Sequence, residues 1–101
     1  ALLKKVLPDP GEGPSETTRN NGFFEFWAHG TDGENQLRVK VAGQRDPGYG
    51  ATSRMLAQAG LCLARDELSV GGGIWTTASA LGDPLLARLP QVDIHFSVVE
   101  D

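Results

Sequence analysis

The fold is decided by residues 23–42, FFEFWAHGTDGENQLRVKVA. Residues 23–29 are aromatic-rich and residues 36–42 alternate apolar with polar side chains, and both patterns are typical of strands. Turn-forming residues fill positions 30–35 between them, so the sequence predicts a β-hairpin. The second strand has one wet face, whereas the first is partly apolar on both sides. We therefore expect the first strand to have a neighbour on its second face, either a helix or another chain.

Two helices are predicted after the hairpin. An apolar stripe runs at helical spacing over residues 52–65, which predicts an amphipathic helix. Gly60 lies within it, and because a helical glycine costs about 1 kcal/mol relative to alanine, we expect it to pack closely against a neighbouring backbone. The second helix covers residues 76–89 and is capped by one of the two threonines at its start. Pro84 predicts a kink or a fresh start within this helix.

The remaining segments complete the order of elements. Alternation over residues 92–98 predicts a last, half-buried strand, and the short apolar piece 74–75 allows a further one before the second helix. Residues 8–22, rich in proline, glycine and small polar residues, are predicted to be a connector. The order β-β-α-(β)-α-β indicates an α+β domain, in which a small mixed or antiparallel sheet, the hairpin plus the C-terminal strand, is covered by two helices.

Length and composition narrow the class of protein. The 101 residues make a single domain, residues 1–101, and 40% apolar with 22% charged residues describe an ordinary globular chain. The net charge of −4 and the scattered basic residues argue against nucleic acid or an anionic membrane as a partner. No apolar run reaches the roughly 18 residues that a membrane span needs. Cys62 is the single cysteine, which favours a reducing, cytoplasmic location and a small core residue.

The first residues indicate how the chain begins. Apolar side chains recur at helical spacing over residues 2–7, with Lys4 and Lys5 on the opposite side, until Pro8 stops the pattern. A helix of under two turns is not stable alone, so we expect the tail of a helix that starts earlier in a larger, two-domain protein. An initiator methionine removed before Ala1 is the alternative.

The loop before the first helix is the strongest candidate for a ligand site. Gly48 and Gly50 allow the backbone to approach a ligand, and a helix N-terminus attracts anions through its free N–H groups and dipole. Neither nucleotide-binding glycine fingerprint is present, so a rigid turn that caps the helix is the alternative. The substrate-side candidates are Arg45, Asp46, Tyr49 and Thr52.

No catalytic or metal-binding pattern accompanies this loop. His29 and His95 lie apart on strands and are interpreted as surface or interface residues, and no metal-ligand spacing occurs. The glycines at 71–73 favour a hinge over a phosphate loop, because no lysine follows. Glu12 and Asp46 are weak acid–base candidates without a paired carboxylate. The sequence thus predicts a partner domain, with no catalytic, cofactor-binding or metal residue of its own.

Several motifs, in their order and spacing, resemble the C-terminal end of the saccharopine dehydrogenase-like oxidoreductase family, in the branch containing bacterial trans-acting enoyl reductases. They are residues 7–15, 46–56, 59–64, 72–76, 80–83 and 86–89. The resemblance implies a parent protein with an N-terminal dinucleotide-binding domain that holds NAD(P), and a second domain that closes over the substrate side and helps dimerisation. It assigns no catalytic residue to this chain, and Trp75 and Pro84 depart from the family pattern.

The leading hypothesis is therefore the C-terminal substrate-side or dimerisation domain of a saccharopine dehydrogenase-like, NAD(P)-dependent oxidoreductase, inactive alone. Its expected partners are the N-terminal dinucleotide-binding domain and a second copy of the protein. The alternative is a free-standing binding or dimerisation module that uses the Phe/Trp strand as an interface. A small cofactor-free enzyme built on Arg45, Asp46 and Tyr49 is a third hypothesis.

Overall fold

A computed structural model describes residues 9–100. The N-terminal helix predicted over residues 2–7 lies outside this range. A 3-10 turn, Leu89–Val92, connects the last helix to the last strand. The other elements are, in chain order, α1 (Glu16–Asn21), β1 (Phe23–Asp32), β2 (Asn35–Gln44), α2 (Gly50–Arg65), α3 (Thr77–Arg88) and β3 (Ile94–Val99).

The three strands form one antiparallel sheet in the order β1-β2-β3, so the predicted α+β class is confirmed. The hairpin is also confirmed, but the prediction of a six-residue turn is wrong. Pairing continues to Asp32 and Asn35, which leaves a two-residue turn. Gly33 takes a φ of 59° there, the left-handed conformation that such tight turns need at their first central position.

The core lies at one end of the sheet. Its buried centre combines the start of α2, the 3-10 turn and the start of β3, in Ala51, Leu89 and Ile94. Partly buried side chains pack around it from the sheet and both helices: Phe24, Val41, Met55, Leu85 and Val92. The helices therefore cover the end of the sheet where Phe24, Gly43 and Ile94 stand in register.

Part of the predicted connector is helical. The prediction for residues 8–22 is wrong over α1, where the Ser15 hydroxyl accepts a hydrogen bond from the Thr18 N–H at 3.2 Å. Such a cap satisfies one of the free donors of the first turn, and Gly22 ends the helix after six residues. The serine followed three residues later by a threonine was the available signal.

The interruption predicted near Pro84 is confirmed. The Thr76 hydroxyl caps α3 by accepting from the Ser79 N–H at 3.2 Å. Gly82 then leaves the helical conformation, with φ 35° and ψ −128°, two residues before Pro84. This glycine makes the break, because the left-handed side of φ is costly for residues with a Cβ.

Two local predictions are wrong. Residues 74–75 lie in no strand, and their side chains are exposed. Trp75 donates its indole N–H back to the Gly71 carbonyl at 3.0 Å, a contact within the loop. Gly60 does not approach a backbone: no described atom lies within 4 Å of a Cβ built there. Its place in α2 is on the exposed side.

Candidate functional site

The loop before α2 folds around the carboxylate of Asp46. This carboxylate accepts hydrogen bonds from the backbone N–H groups of Tyr49 at 2.8 Å, Gly48 at 3.2 Å and Gly50 at 3.4 Å. The bond from Tyr49 is the main cause that holds the pKa of Asp46 below its usual value. Asp46 therefore stays an anionic acceptor at neutral pH and supplies the negative charge that a helix N-terminus attracts.

The same segment is tied to the rest of the chain by its backbone. The N–H of Arg45 donates to the Gly22 carbonyl at 2.6 Å, and the N–H of Asp46 donates to the Arg19 carbonyl at 3.0 Å. Arg45 has a φ of 77°, which is uncommon for a residue with a Cβ. We call this arrangement, residues 45–52, the Asp46 turn; it joins α1, β2 and α2.

The four substrate-side candidates do not converge on one cavity. Asp46 and Arg45 are half-buried in the turn, and the side chain of Tyr49 is exposed beside Gly13. The Thr52 hydroxyl donates to the Pro47 carbonyl, and Thr52 alone among the four borders the cavity described next. Their role toward a substrate stays a prediction, and the rigid capping turn is what the geometry shows.

An apolar groove lies between α2, α3 and β3, and sequence reasoning missed it. Its volume is about 650 Å³, within the range of small-molecule sites. Aliphatic and aromatic side chains dominate its walls, so it can hold apolar groups and offers few hydrogen bonds. The lining residues are Thr52, Met55, Leu56, Ala59, Thr77, Ala78, Gly82, Asp83, Leu85, Leu86, Leu89 and Phe96.

A second polar cluster joins the ends of α2 and α3. Arg88 donates from Nε and Nη2 to the two carboxylate oxygens of Asp66, each at 2.6 Å. This paired geometry, chiefly through the hydrogen bonds from Arg88, lowers the pKa of Asp66 from 3.8 to about 2. Cys62 is fully buried beside the pair, and its burial raises the pKa of the thiol. Cys62 thus behaves as the small core residue that was predicted, because a thiol of raised pKa is a poor nucleophile at neutral pH.

The second face of the sheet mixes charged side chains with Phe23 and Trp27, which are 72% and 41% exposed. No layer within residues 9–100 buries these two aromatic side chains, so the neighbour expected for this face of β1 is not found among the described residues. Lys40 forms an ion pair with Glu25 and lies 5.4 Å from the centre of the Trp27 ring. His29 and His95 are both exposed there, as predicted. Among residues 9–100 no group of three or more histidine, cysteine or acidic side chains comes together to hold a metal ion. Nor is any helix of that range long and apolar enough to cross a membrane.

Comparison with known proteins identifies relatives of this chain by sequence. A protein of Mycobacterium tuberculosis named as a candidate trans-acting enoyl reductase is 44% identical over 97 residues, which cover 92% of this chain. The chain is homologous to part of that protein. A trans-acting enoyl reductase of Mycobacterium ulcerans is 37% identical over 97 residues and 94% of the chain, and one of Mycobacterium bovis is 40% identical over 91 residues and 88% of the chain.

In each case the match covers a small part of the relative. The chain spans 23% of the length of the M. tuberculosis and M. ulcerans proteins and 22% of the M. bovis protein. No family model matches the chain, and no solved structure gives a significant match. The chain thus corresponds to one domain-sized segment of proteins that carry the name of enoyl reductases.

Proposed function

We propose that this chain is the C-terminal, substrate-side domain of a saccharopine dehydrogenase-like, NAD(P)-dependent oxidoreductase of the enoyl reductase type, and that it is inactive alone. The observation that carries this proposal is the match over nearly the whole chain to less than a quarter of proteins named as enoyl reductases. A chain that accounts for one segment of an oxidoreductase takes its activity from the complete protein.

The Asp46 turn supports the assignment of the cofactor to another domain. A pyrophosphate binds at a helix N-terminus through free backbone N–H groups and the positive end of the helix dipole. At α2 the carboxylate of Asp46 already accepts from the N–H groups of Gly48, Tyr49 and Gly50. A second anion would meet both the occupied donors and the negative charge of Asp46, so these residues do not fit a dinucleotide.

The apolar groove supports a substrate-side role. An enoyl reductase, as its name states, reduces a carbon–carbon double bond, and the hydrocarbon around such a bond needs an apolar surface. The groove offers that surface between two helices, with Thr52 and Thr77 as hydroxyl groups at its border. In the proposed parent this domain closes over the substrate while the dinucleotide-binding domain supplies the hydride donor.

The alternative function is a free-standing binding or dimerisation module. The observation that favours it is strand β1, which exposes the large side chains of Phe23, Phe26 and Trp27 along an open sheet edge. Exposed apolar strands of this kind are sites of association. Sedimentation of the isolated chain at micromolar concentration tests this alternative, because a tight and soluble dimer would favour it.

Titration with NADPH tests the proposal. The 101-residue chain should show no binding at micromolar cofactor by calorimetry, whereas the full-length M. tuberculosis relative should bind. An Asp46→Asn variant of the chain is a matched control, because it removes the charge and keeps one of the two hydrogen-bonding oxygens. Micromolar binding by the wild-type chain would contradict the proposal, and a full-length relative that binds neither NADH nor NADPH would remove the cofactor from it.

A further inference from the structure

The sheet carries an apolar surface that the helices leave open. In the register of the strands, Phe26 and Phe96 flank Val41, and Val98 stands beside Val39 one pair further from the core. These positions share a face with the buried Ile94, since side chains alternate along a strand. The helices end their cover near Phe96, which borders the groove. Beyond Phe96 no element within residues 9–100 forms a layer over the same face.

This face and the groove form one continuous surface, which we call the apolar surface. Its most exposed members reach 73% exposure at Leu56, 62% at Phe26 and 60% at Val98, and Phe96 at 50% joins the sheet to the helices. The six large members together expose on the order of 600 Å², at the upper end of the largest apolar patch on a typical monomer. They are Phe26, Leu37, Leu56, Leu86, Phe96 and Val98.

The chain exposes more surface to solvent than a compact globular chain of its length. Its accessible surface is 7969 Å², against roughly 5,500 Å² for a compact globular chain of this length. Even if each of the nine residues outside 9–100 exposed the roughly 160 Å² of an unfolded residue, about 1,000 Å² would remain in excess. That remainder exceeds the roughly 800 Å² that one partner contributes to a standard interface.

We propose that the sheet part of the apolar surface, from Phe26 and Phe96 to Val98, is the intramolecular interface of the parent protein and is covered by the part of that polypeptide outside the matched segment. The groove between α2 and α3 keeps its proposed role on the substrate side. This inference rests on the proposed function. About three quarters of each relative lies outside the segment that matches this chain, so a covering layer of the same polypeptide is at hand. A sheet with one apolar face is stable when a second layer buries that face, and in the part of the chain that the structure describes only one end has that layer.

The opposite face identifies the exposed side of the domain. Ser97, the residue before Val98 on β3, belongs to the opposite face of the sheet. It pairs with Lys40 on β2, which in turn pairs with Trp27 on β1. Lys40 there engages Glu25 and the Trp27 ring. The region around Lys40 and Ser97 is therefore the part of this face that we expect to remain in water, although Phe23 and Trp27 add exposed aromatic surface to the same face. Val98 and Ser97 thus differ in their expected environment within the parent.

Cysteine labelling distinguishes the two faces. Val98→Cys places a thiol on the apolar surface, and Ser97→Cys places one on the opposite face as a matched control one residue away. The native Cys62 is buried and reacts separately and slowly. Each variant is made in the 101-residue chain and in a chimera in which this chain replaces the matched 97 residues of the M. tuberculosis relative. A maleimide is the probe.

In the isolated chain the two thiols should react at comparable rates. In the chimera Val98→Cys should slow at least about tenfold, while Ser97→Cys changes by less than about threefold, because burial limits reaction to rare openings. Equal rates for Val98→Cys in chain and chimera would overturn the inference. Slowing that depends on the concentration of the isolated chain would also overturn it, because it would identify a second copy as the occupant.

The chimera also separates this inference from the proposed function. If it binds NADPH while Val98→Cys remains accessible, the interface is wrong and the proposed function stands. If Val98→Cys is protected and NADPH does not bind, the cofactor assignment fails and the interface stands. Should the chimera not fold, the same variants are labelled in a mixture of this chain with the relative from which the matched segment has been deleted. If Val98→Cys is not protected in that mixture, the proposed interface is contradicted.

Discussion

Gly43 is the position at which the packing of the core is most sharply defined. It lies on the central strand directly opposite Phe24, with Ile94 on its other side. A Cβ built at Gly43 would stand 2.4 Å from Cε1 and 2.7 Å from Cζ of the Phe24 ring, and 3.3 Å from Cγ1 of Ile94. The aromatic ring thus lies against the glycine, in space that any side chain would occupy.

Gly43→Ala should therefore destabilise the isolated chain. The methyl group requires the Phe24 ring to move by about an ångström, although that ring packs against the buried cluster around Ile94. Inserting a methyl group into a packed core typically costs about 1–3 kcal/mol. For a domain of this size each kcal/mol lowers the melting temperature by about 4–8 °C. Thermal unfolding followed by circular dichroism measures the change.

Gly60→Ala is the matched control, because it adds the same methyl group where no described atom lies within 4 Å. In the middle of α2 alanine is favoured over glycine by about 1 kcal/mol, so this variant should melt at a higher temperature than the wild type. The reasoning is refuted if Gly43→Ala melts at or above the wild-type temperature. A fall for Gly60→Ala would show that α2 does pack against a backbone at this point.

Two further predictions concern the polar clusters. Arg88→Met removes the partner of Asp66, whose pKa is lowered from 3.8 to about 2. A carboxyl group whose pKa is lower in the folded protein stabilises the fold at pH values above its unfolded-state pKa, and it loses that contribution as the pH falls through its folded-state pKa. The wild type should therefore have a higher melting temperature than the variant at neutral pH, and this difference should narrow as the pH falls from about 4 to 2. A difference in melting temperature that stays constant across this range would contradict the pairing. Asp46→Ala removes the acceptor for three backbone N–H groups and should lower both the melting temperature and the helical signal at neutral pH; an unchanged melting temperature would show that the Asp46 turn does not stabilise α2.

The sequence predicts most of the fold because its local patterns agree with the final packing. Alternation in β2 and β3 and the helical stripe of α2 each reflect a face that is buried at the core end of the sheet. The kink in α3 is also predictable, since Pro84 is incompatible with an uninterrupted helix. The short helix α1 has only its Ser15 cap as a signal in the sequence. Its six residues also depend on backbone hydrogen bonds to the Asp46 turn, and these tertiary contacts cannot be predicted from the local pattern.

The site was predictable only in part for the same reason. The loop before α2 contains the glycines and donors of an anion site, and the sequence left open whether it binds a ligand or caps a helix. The structure shows that the carboxylate of Asp46 accepts hydrogen bonds from the backbone N–H groups that such a ligand would need. The apolar groove was missed because its walls come from α2, α3 and β3, and a helical stripe alone does not tell which apolar residues face a core and which face an open cleft.

The alternation of apolar residues also extends beyond the core that this chain builds. Ile94 and Val98 occupy the same face of β3, yet the first is fully buried and the second is largely exposed. Phe24 and Phe26 differ in the same way on β1, since Phe24 packs on the core and Phe26 does not. A pattern selected for burial along the whole strand, combined with helices that cover one end, is what a domain would show if another part of its protein buried the other end. The boundary between the two ends falls at Val41, which Phe26 and Phe96 flank, and the proposed interface begins there.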